Sequence, residues 1–264
     1  MPYPLILSKG ALIIKILPHI GATIVSLEHG SSGNILKSNP DFWDGKDIPA
    51  LNAQSGFKPY EGSTIWVGPQ SEWWVKQDLN KERKDTAAPW PPDPFLVYGN
   101  YKALETGNNF VILESDESPI SGIKVKKEIA INDDGSVYLN TTFTNIKEEN
   151  LSWDIWYNTR MDGFSRAFVP VENVMDVMVK PVLNESSQEM PFTIKKGFFS
   201  YNPVSPDSQF IERSSKAYIN PCRPWIAGFK GNKLLVIRFE HHKKEIIHPE
   251  QALVEIYNHT ETDK

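Results

Sequence analysis

A single cysteine, Cys222, is the only thiol in the chain. No internal disulfide can form, which favours a reducing compartment. No apolar run approaches the ~18 residues of a membrane-spanning helix. The opening MPYPLILSKG carries no basic segment ahead of an apolar one, so no signal peptide is expected. Positive charge is also scarce: 28 Lys and Arg face 33 Asp and Glu, a net charge of −5, with a pI near 5.7. That balance removes the electrostatic case for nucleic acid or an anionic membrane as main partner. The expected location is the cytoplasm, although a trimmed secreted chain would look the same, and the Asn-x-Ser/Thr sequences at Asn140, Asn150, Asn184 and Asn258 read as chance matches.

Several catalytic signatures are missing too. There is no Gly-x-Ser-x-Gly elbow for a serine nucleophile, and no glycine loop that would cradle a phosphate. A metal site could be drawn from His241, His242 and His248 with Glu240 or Glu245, but adjacent histidines on a strand point to opposite faces and no His-x-x-x-His or cysteine spacing supports it. Neither a metal nor a cofactor is expected. A glycosidase pair of carboxylates stays open, because the many acidic residues supply pairs whose spacing in the fold is invisible at this level.

Long helical periodicity is absent as well: no helix longer than two turns is predicted, and the period is two nearly throughout. Ala11–Leu17 and Ala22–Leu27 read as strands around the Pro18-His-Ile-Gly21 turn. A meander follows later: Tyr101–Thr106, Phe110–Ser115, Gly122–Ile131 and Ser136–Thr144. Its turns, Gly107-Asn-Asn109 and Asn132-Asp-Asp-Gly135, suit the positive φ of tight hairpins. Phe168–Val182 holds two short apolar runs, the second Val174–Val179. Leu183–Pro191 and Pro203–Ser215 read as polar loops. Trp225–Phe229 and Leu234–Phe239 form a hairpin about Gly231-Asn232, and Ala252–Tyr257 is a final strand. The basic runs Lys124–Lys127 and His241–Lys244 read as solvated faces and loops. At 264 residues one all-β domain over residues 1–264 is expected.

Against this plain background the tryptophans stand out. Thr64–Pro94 holds four of the eight, Trp66, Trp73, Trp74 and Trp90, and fits neither a helical nor an alternating period. It reads as a long ordered loop, braced by the prolines between Pro89 and Pro94, in a region from Asn39 to Tyr98 dominated by loops. Indoles on a rigid loop offer flat apolar faces with a polar rim, as stacking on a sugar requires. Rings that merely cap a sandwich core would give the same sequence. Leu151–Arg160 alternates strictly, with Asp154, Trp156, Asn158 and Arg160 on one face and Trp153, Ile155 and Tyr157 on the other. The polar face is either solvated or the lining of a cleft.

A set of motifs lies in one order: Pro-x-x-Gly-Ala in the first hairpin, Trp66-x-x-Pro-Gln70, Trp90-Pro-Pro-Asp-Pro94, Ser118-Pro-x-Ser-Gly-x-x-x-x-Lys127, and Thr-x-x-Asn before Trp153-x-x-Trp156. In this the chain resembles uncharacterised members of the galactose-mutarotase-like superfamily, from about Leu5 to Tyr257. The resemblance implies a β-supersandwich, two large curved antiparallel sheets face to face with a carbohydrate-sized cleft on a concave side. In mutarotases of that fold a histidine acts as general acid toward the ring oxygen and a glutamate as general base on the anomeric hydroxyl. Here Trp156 stands where the resemblance places the acid, and an indole cannot protonate a ring oxygen at neutral pH. Glu255 matches the base. The resemblance also implies a further strand, whereas the sequence stops seven residues after Tyr257, so a truncated C-terminal end is expected.

The leading expectation is therefore a carbohydrate-binding protein without a metal. Trp66, Gln70, Trp73 and Trp90 from the loop, with Asp154, Trp156 and Arg160 from the strand, would line its cleft. The alternative is an aldose 1-epimerase-like or other carbohydrate-active enzyme using Glu255 with His241 or His242. A third is an interaction sandwich with buried tryptophans. The sequence sets neither the sugar nor the oligomeric state.

Overall fold

The computed structural model describes residues 4–48, 50–181, 190–203, 213–242 and 246–260. The described residues form an almost wholly β protein with antiparallel pairing, and the expected all-β sandwich class holds. No helix among them is long and apolar enough to cross a membrane. The chain divides into two compact units, residues 1–160 and 161–264.

The first unit begins with β1 (Leu5–Lys9), β2 (Leu12–Leu17) and β3 (Thr23–His29), and continues with β4 (Ser63–Gly68). After the tryptophan-rich segment come β5 (Tyr101–Thr106), β6 (Phe110–Ser115), β7 (Ile123–Ile131), β8 (Val137–Asn145) and β9 (Asp154–Thr159). One sheet has the order β1-β2-β3-β4-β9 and the other is the meander β5-β6-β7-β8. The turns at Gly107–Asn109 and Asn132–Gly135 join their strands as read. Ile24, Ile65 and Tyr157 of the first sheet, with Ala22 just ahead of β3, face Lys127, Ile129 and Leu139 of the second across a small hollow, so the two sheets are layered face to face.

β7 shows how sharply one pleat is specified. Its residues alternate without a break between buried and half-buried, and the buried series reads Ile123, Val125, Lys127, Ile129, Ile131. Lys127 is 2% exposed, which corrects its reading as part of a solvated run. Its Nζ donates to the carbonyls of Gly21 at 2.7 Å and Ala22 at 3.4 Å, and lies over the Tyr101 ring. Burial lowers its pKa to about 7, because the interior disfavours the charged form.

The stretch from Asn39 to Tyr98 is not loop throughout. β4 pairs with β9 over six residues, with Trp66 directly opposite Trp156. Two short helices follow, α1 (Lys81–Asp85) and α2 (Pro94–Val97), capped by Asn80 and Asp93, whose side chains accept from the backbone N–H of Arg83 and Phe95. Neither exceeds two turns, as read.

The second unit holds β10 (Arg166–Pro170), β11 (Val177–Pro181), β12 (Phe192–Lys195), β13 (Phe198–Tyr201), β14 (Arg213–Ile219), β15 (Trp225–Lys230), β16 (Lys233–Arg238) and β17 (Val254–Thr260). Its sheets are ordered β12-β13-β10-β15-β16 and β11-β14-β17. They share a core of Val169, Phe199, Tyr201, Ala217, Ile219 and Val254. The run read as Val174–Val179 is a 3-10 turn, Val174–Asp176, held by an Asn173–Asp176 capping box, and only then a strand. Most of the two predicted polar loops, residues 182–189 and 204–212, lies outside the described residues. Arg213–Ser215, read as the end of the second, instead opens β14.

Candidate functional site

The pairing of β4 with β9 aligns Thr64 with Asn158 and Trp66 with Trp156. Alternation puts these four on the face turned away from the β5–β8 sheet. The segment after β4 folds back over that face. It enters and leaves through cis peptides at Gly68-Pro69 and Trp90-Pro91. Side chains tie it down: Gln77 Nε2 donates to the Trp74 and Asn80 carbonyls within the segment, and Asn80 Nδ2 reaches the Ala53 carbonyl ahead of β4. Arg83 lies 4.4 Å from the Trp74 ring and donates to the Ala53 and Ser55 carbonyls.

A second anchor explains two of the motifs. The Asp93 carboxylate, 2% exposed, accepts from the hydroxyls of Ser118 and Ser121 and from the backbone N–H of Ser121 and Phe95. Trp-Pro-Pro-Asp-Pro and Ser-Pro-x-Ser-Gly are thus two halves of one clamp, fastening the segment to the β6–β7 corner. Burial raises the Asp93 pKa, and the four hydrogen bonds oppose that rise.

Four indoles meet under this cover. Trp66 contacts Trp73, Trp90 and Trp156 edge to face, with centroids 5.6, 5.7 and 5.5 Å away. Trp73 also lies within 6.4 Å of Trp90 and Trp156. The four have different freedom. Trp73 is 1% exposed and its Nε1 donates to the Val67 carbonyl at 2.6 Å, so its ring supports its neighbours and cannot stack on a ligand. Trp90 is 44% exposed and packs on Phe57 at 4.7 Å, forming a rim. Trp66 is 6% exposed, and its Nε1 has no hydrogen-bond partner among the described residues.

Beside Trp66 opens a shallow cleft, partly open to solvent, with a cavity volume of about 20 Å³, room for one water or one oxygen-bearing group and not for a whole ring. Phe57, Tyr60, Tyr98 and Val97 form its apolar walls, and Glu61, Thr64, Lys58 and Arg160 its polar ones. Arg160 sits over Phe57 and Trp66, 5.3 and 5.8 Å from the ring centroids. Its Nη1 donates to Glu61 at 2.9 Å and its Nε to Asn158 at 3.1 Å. The other Glu61 oxygen is 3.3 Å from Lys37 Nζ, and the Glu61 side chain is 8% exposed. Glu61 has φ +64°, a left-handed conformation that costs a non-glycine residue of order 1–3 kcal/mol and gathers at functional positions. The next residue, Gly62, has φ +79°, and an added Cβ would lie 2.3 Å from the Ile24 carbonyl oxygen. The Tyr98 hydroxyl is engaged in both directions, accepting from the Lys58 N–H and donating to its carbonyl. Burial raises the pKa of Tyr98 and of Tyr60.

Of the sequence candidates, Trp66 and Arg160 line this cleft, while Trp73, Trp90 and Trp156 surround Trp66. Gln70 does not line it: its Nε2 donates to the Pro89 carbonyl at 2.5 Å and closes the segment's base. Asp154 faces the same way as Trp156 but pairs with Gly68 at the far end of β9. Six residues of strand, ~20 Å, separate it from Arg160, so the carboxylate answering Arg160 is Glu61. Glu61 escaped the sequence reading, its one local signal being the glycine after it. Glu255 lies in the second unit, where Lys216 pairs with it at 2.5 Å and its side chain is 4% exposed. His241 and His242 are exposed residues following β16.

The family model described as Domain of unknown function (DUF4380) matches residues 4–264. No curated protein matches the chain. Among solved structures, a protein from Escherichia coli K12 provisionally assigned as an aldose 1-epimerase is similar. It is 11% identical, with 87% of this chain and 73% of that chain covered at a TM-score of 0.42. At that score the likeness bears on neither topology nor chemistry.

Proposed function

We propose that this chain, which belongs to the DUF4380 family of unknown function, binds a saccharide in the Trp66–Arg160 cleft of its first unit. The observation that carries the reading is the Trp66 indole N–H, buried and without an acceptor among the described residues. A buried unsatisfied donor costs ~1–3 kcal/mol, and a ligand oxygen that reached this N–H, from which solvent is excluded, would recover that cost. Along the cleft beside Trp66 lie groups that a sugar ring uses: the Phe57 ring with Trp90 at its rim, and the directional Arg160–Glu61 pair. The compartment proposed is the cytoplasm, where the exposed Cys222 thiol stays reduced.

Calorimetric titration of the intact chain with mono- and oligosaccharides tests the reading. Heat saturating in the millimolar range or below is expected, and it should weaken at least tenfold in Trp66→Ala. No saturable heat with any sugar overturns it.

A second reading, an epimerase-like or other carbohydrate-active enzyme, is favoured by one observation. Glu61 brings a carboxylate into the cleft on a left-handed backbone. In that case Glu61, rather than Glu255, handles the proton. Polarimetry of freshly dissolved α-glucose and α-galactose decides: Glu61→Gln must abolish any acceleration over buffer, and equal rates for both proteins remove this reading.

A further inference from the structure

Building on the saccharide reading, we propose that the cleft selects an acidic sugar, a pyranose bearing a carboxylate of the uronate kind. Donors exceed acceptors there. The Trp66 Nε1 can only donate and is unclaimed among the described residues. The Thr64 hydroxyl is buried and equally unclaimed. Arg160 commits Nε to Asn158 and Nη1 to Glu61, leaving its Nη2 edge without a partner among the described residues. The exposed Lys58 ammonium forms no ion pair with them either.

The acceptors, by contrast, are taken. One Glu61 oxygen faces Arg160 and the other Lys37. The Tyr98 hydroxyl is occupied by the Lys58 backbone in both directions. The lining therefore sets two cations, Lys58 and Arg160, against one carboxylate, with Lys37 a third cation behind it. This positive excess stands in a chain whose net charge is −5, so it is a property of the cleft. A neutral pyranose brings hydroxyls that donate as readily as they accept, and leaves the charge excess unanswered. A carboxylate brings acceptor capacity alone and suits a guanidinium, and one such group is what the cleft has room for, with the sugar ring at its mouth.

The test is calorimetry of the intact chain with D-glucuronate and D-galacturonate against D-glucose and D-galactose, and with acetate as a bare carboxylate. At least one uronate is expected to bind about tenfold more tightly than its neutral counterpart, and more tightly than acetate. Lys58→Met and Arg160→Gln should each shrink that ratio. Lys58 is exposed, so its variant keeps the test valid if Arg160→Gln, by freeing Glu61, fails to fold. Equal affinity for acid and neutral sugar, a ratio unchanged in Lys58→Met, or acetate binding as tightly as the uronates overturns the acidic-sugar assignment, the first two leaving saccharide binding intact. Absence of binding by all four sugars overturns the acidic-sugar assignment, and absence of binding across the wider panel with oligosaccharides overturns both.

Discussion

Replacing Lys127 by methionine should flatten the protein's stability against pH across one particular window. The side chain occupies a core position of β7 at 2% exposure, and burial lowers its pKa to about 7. An unfolded lysine titrates near 10.4. Below pH 7 both states carry the proton and the cost of burying the charge is fully present. Between pH 7 and about 10.4 the unfolded chain binds more protons than the folded one, so stability rises with pH. Above the unfolded value both are neutral and the cost is gone. Integrating over those two pKa values gives a gain of about 2 kcal/mol between pH 7 and pH 9. Methionine keeps much of the stem's volume and cannot titrate. It also strips the Gly21 carbonyl of the Lys127 bond, a loss of ~1–3 kcal/mol that shifts the curve without tilting it. The difference in slope is therefore the diagnostic quantity, since titrations elsewhere are common to both proteins. Urea unfolding of both at several pH values measures it. A wild-type-minus-variant stability constant from pH 7 to pH 9 would refute the inference that Lys127 is buried with its charge unmatched.

Three further outcomes follow from the site. Trp73→Phe should cost about 1–3 kcal/mol more than Trp66→Phe in chemical denaturation, because only the former leaves a buried acceptor, the Val67 carbonyl, without its donor. Asp93→Ala should lower stability by several kcal/mol, since four donors lose their shared acceptor; a loss under about 1 kcal/mol would show the clamp to be incidental. Gly62→Ala places a Cβ 2.3 Å from the Ile24 carbonyl oxygen at φ +79°. It should lower stability by about 2 kcal/mol or more, read as a drop in the thermal midpoint, with saccharide affinity reduced through the neighbouring Glu61.

What could be read ahead of the structure was whatever carried a one-sided period or a sharp turn. The β5–β8 meander declared itself through Gly107-Asn-Asn109 and Asn132-Asp-Asp-Gly135. The outward series of β9, Asp154 to Arg160, was visible because the strand is polar on that side. β4 was hidden for the opposite reason. Ile65 faces the partner sheet while Trp66 faces the covering segment, so apolar residues occupy both sides and alternation vanishes. β14 was hidden by small residues: its buried positions Ser215 and Ala217 give no apolar signal inside a polar stretch. Lys127 misled by type, a charge occupying a core position whose spacing was nonetheless correct. The cleft itself needed a pairing no local pattern encodes, the register that sets Trp66 opposite Trp156 and places Glu61 beside Arg160. Placing Asp154 and Arg160 in the lining of one cleft respected the face but not the distance along it.

The Asp93 clamp has a consequence for how anything reaches the cleft. Because the Asp93 carboxyl group is interior and held by residues of the β6–β7 corner, swinging the covering segment outward would break its hydrogen bonds and release that corner as well. Such an opening is a partial unfolding of the sandwich rather than a hinge motion, and the amides of Phe95 and Ser121 should exchange with solvent in step. A visiting molecule thus meets a mouth that the covering segment does not widen, and selectivity rests on fit there instead of closure behind the guest.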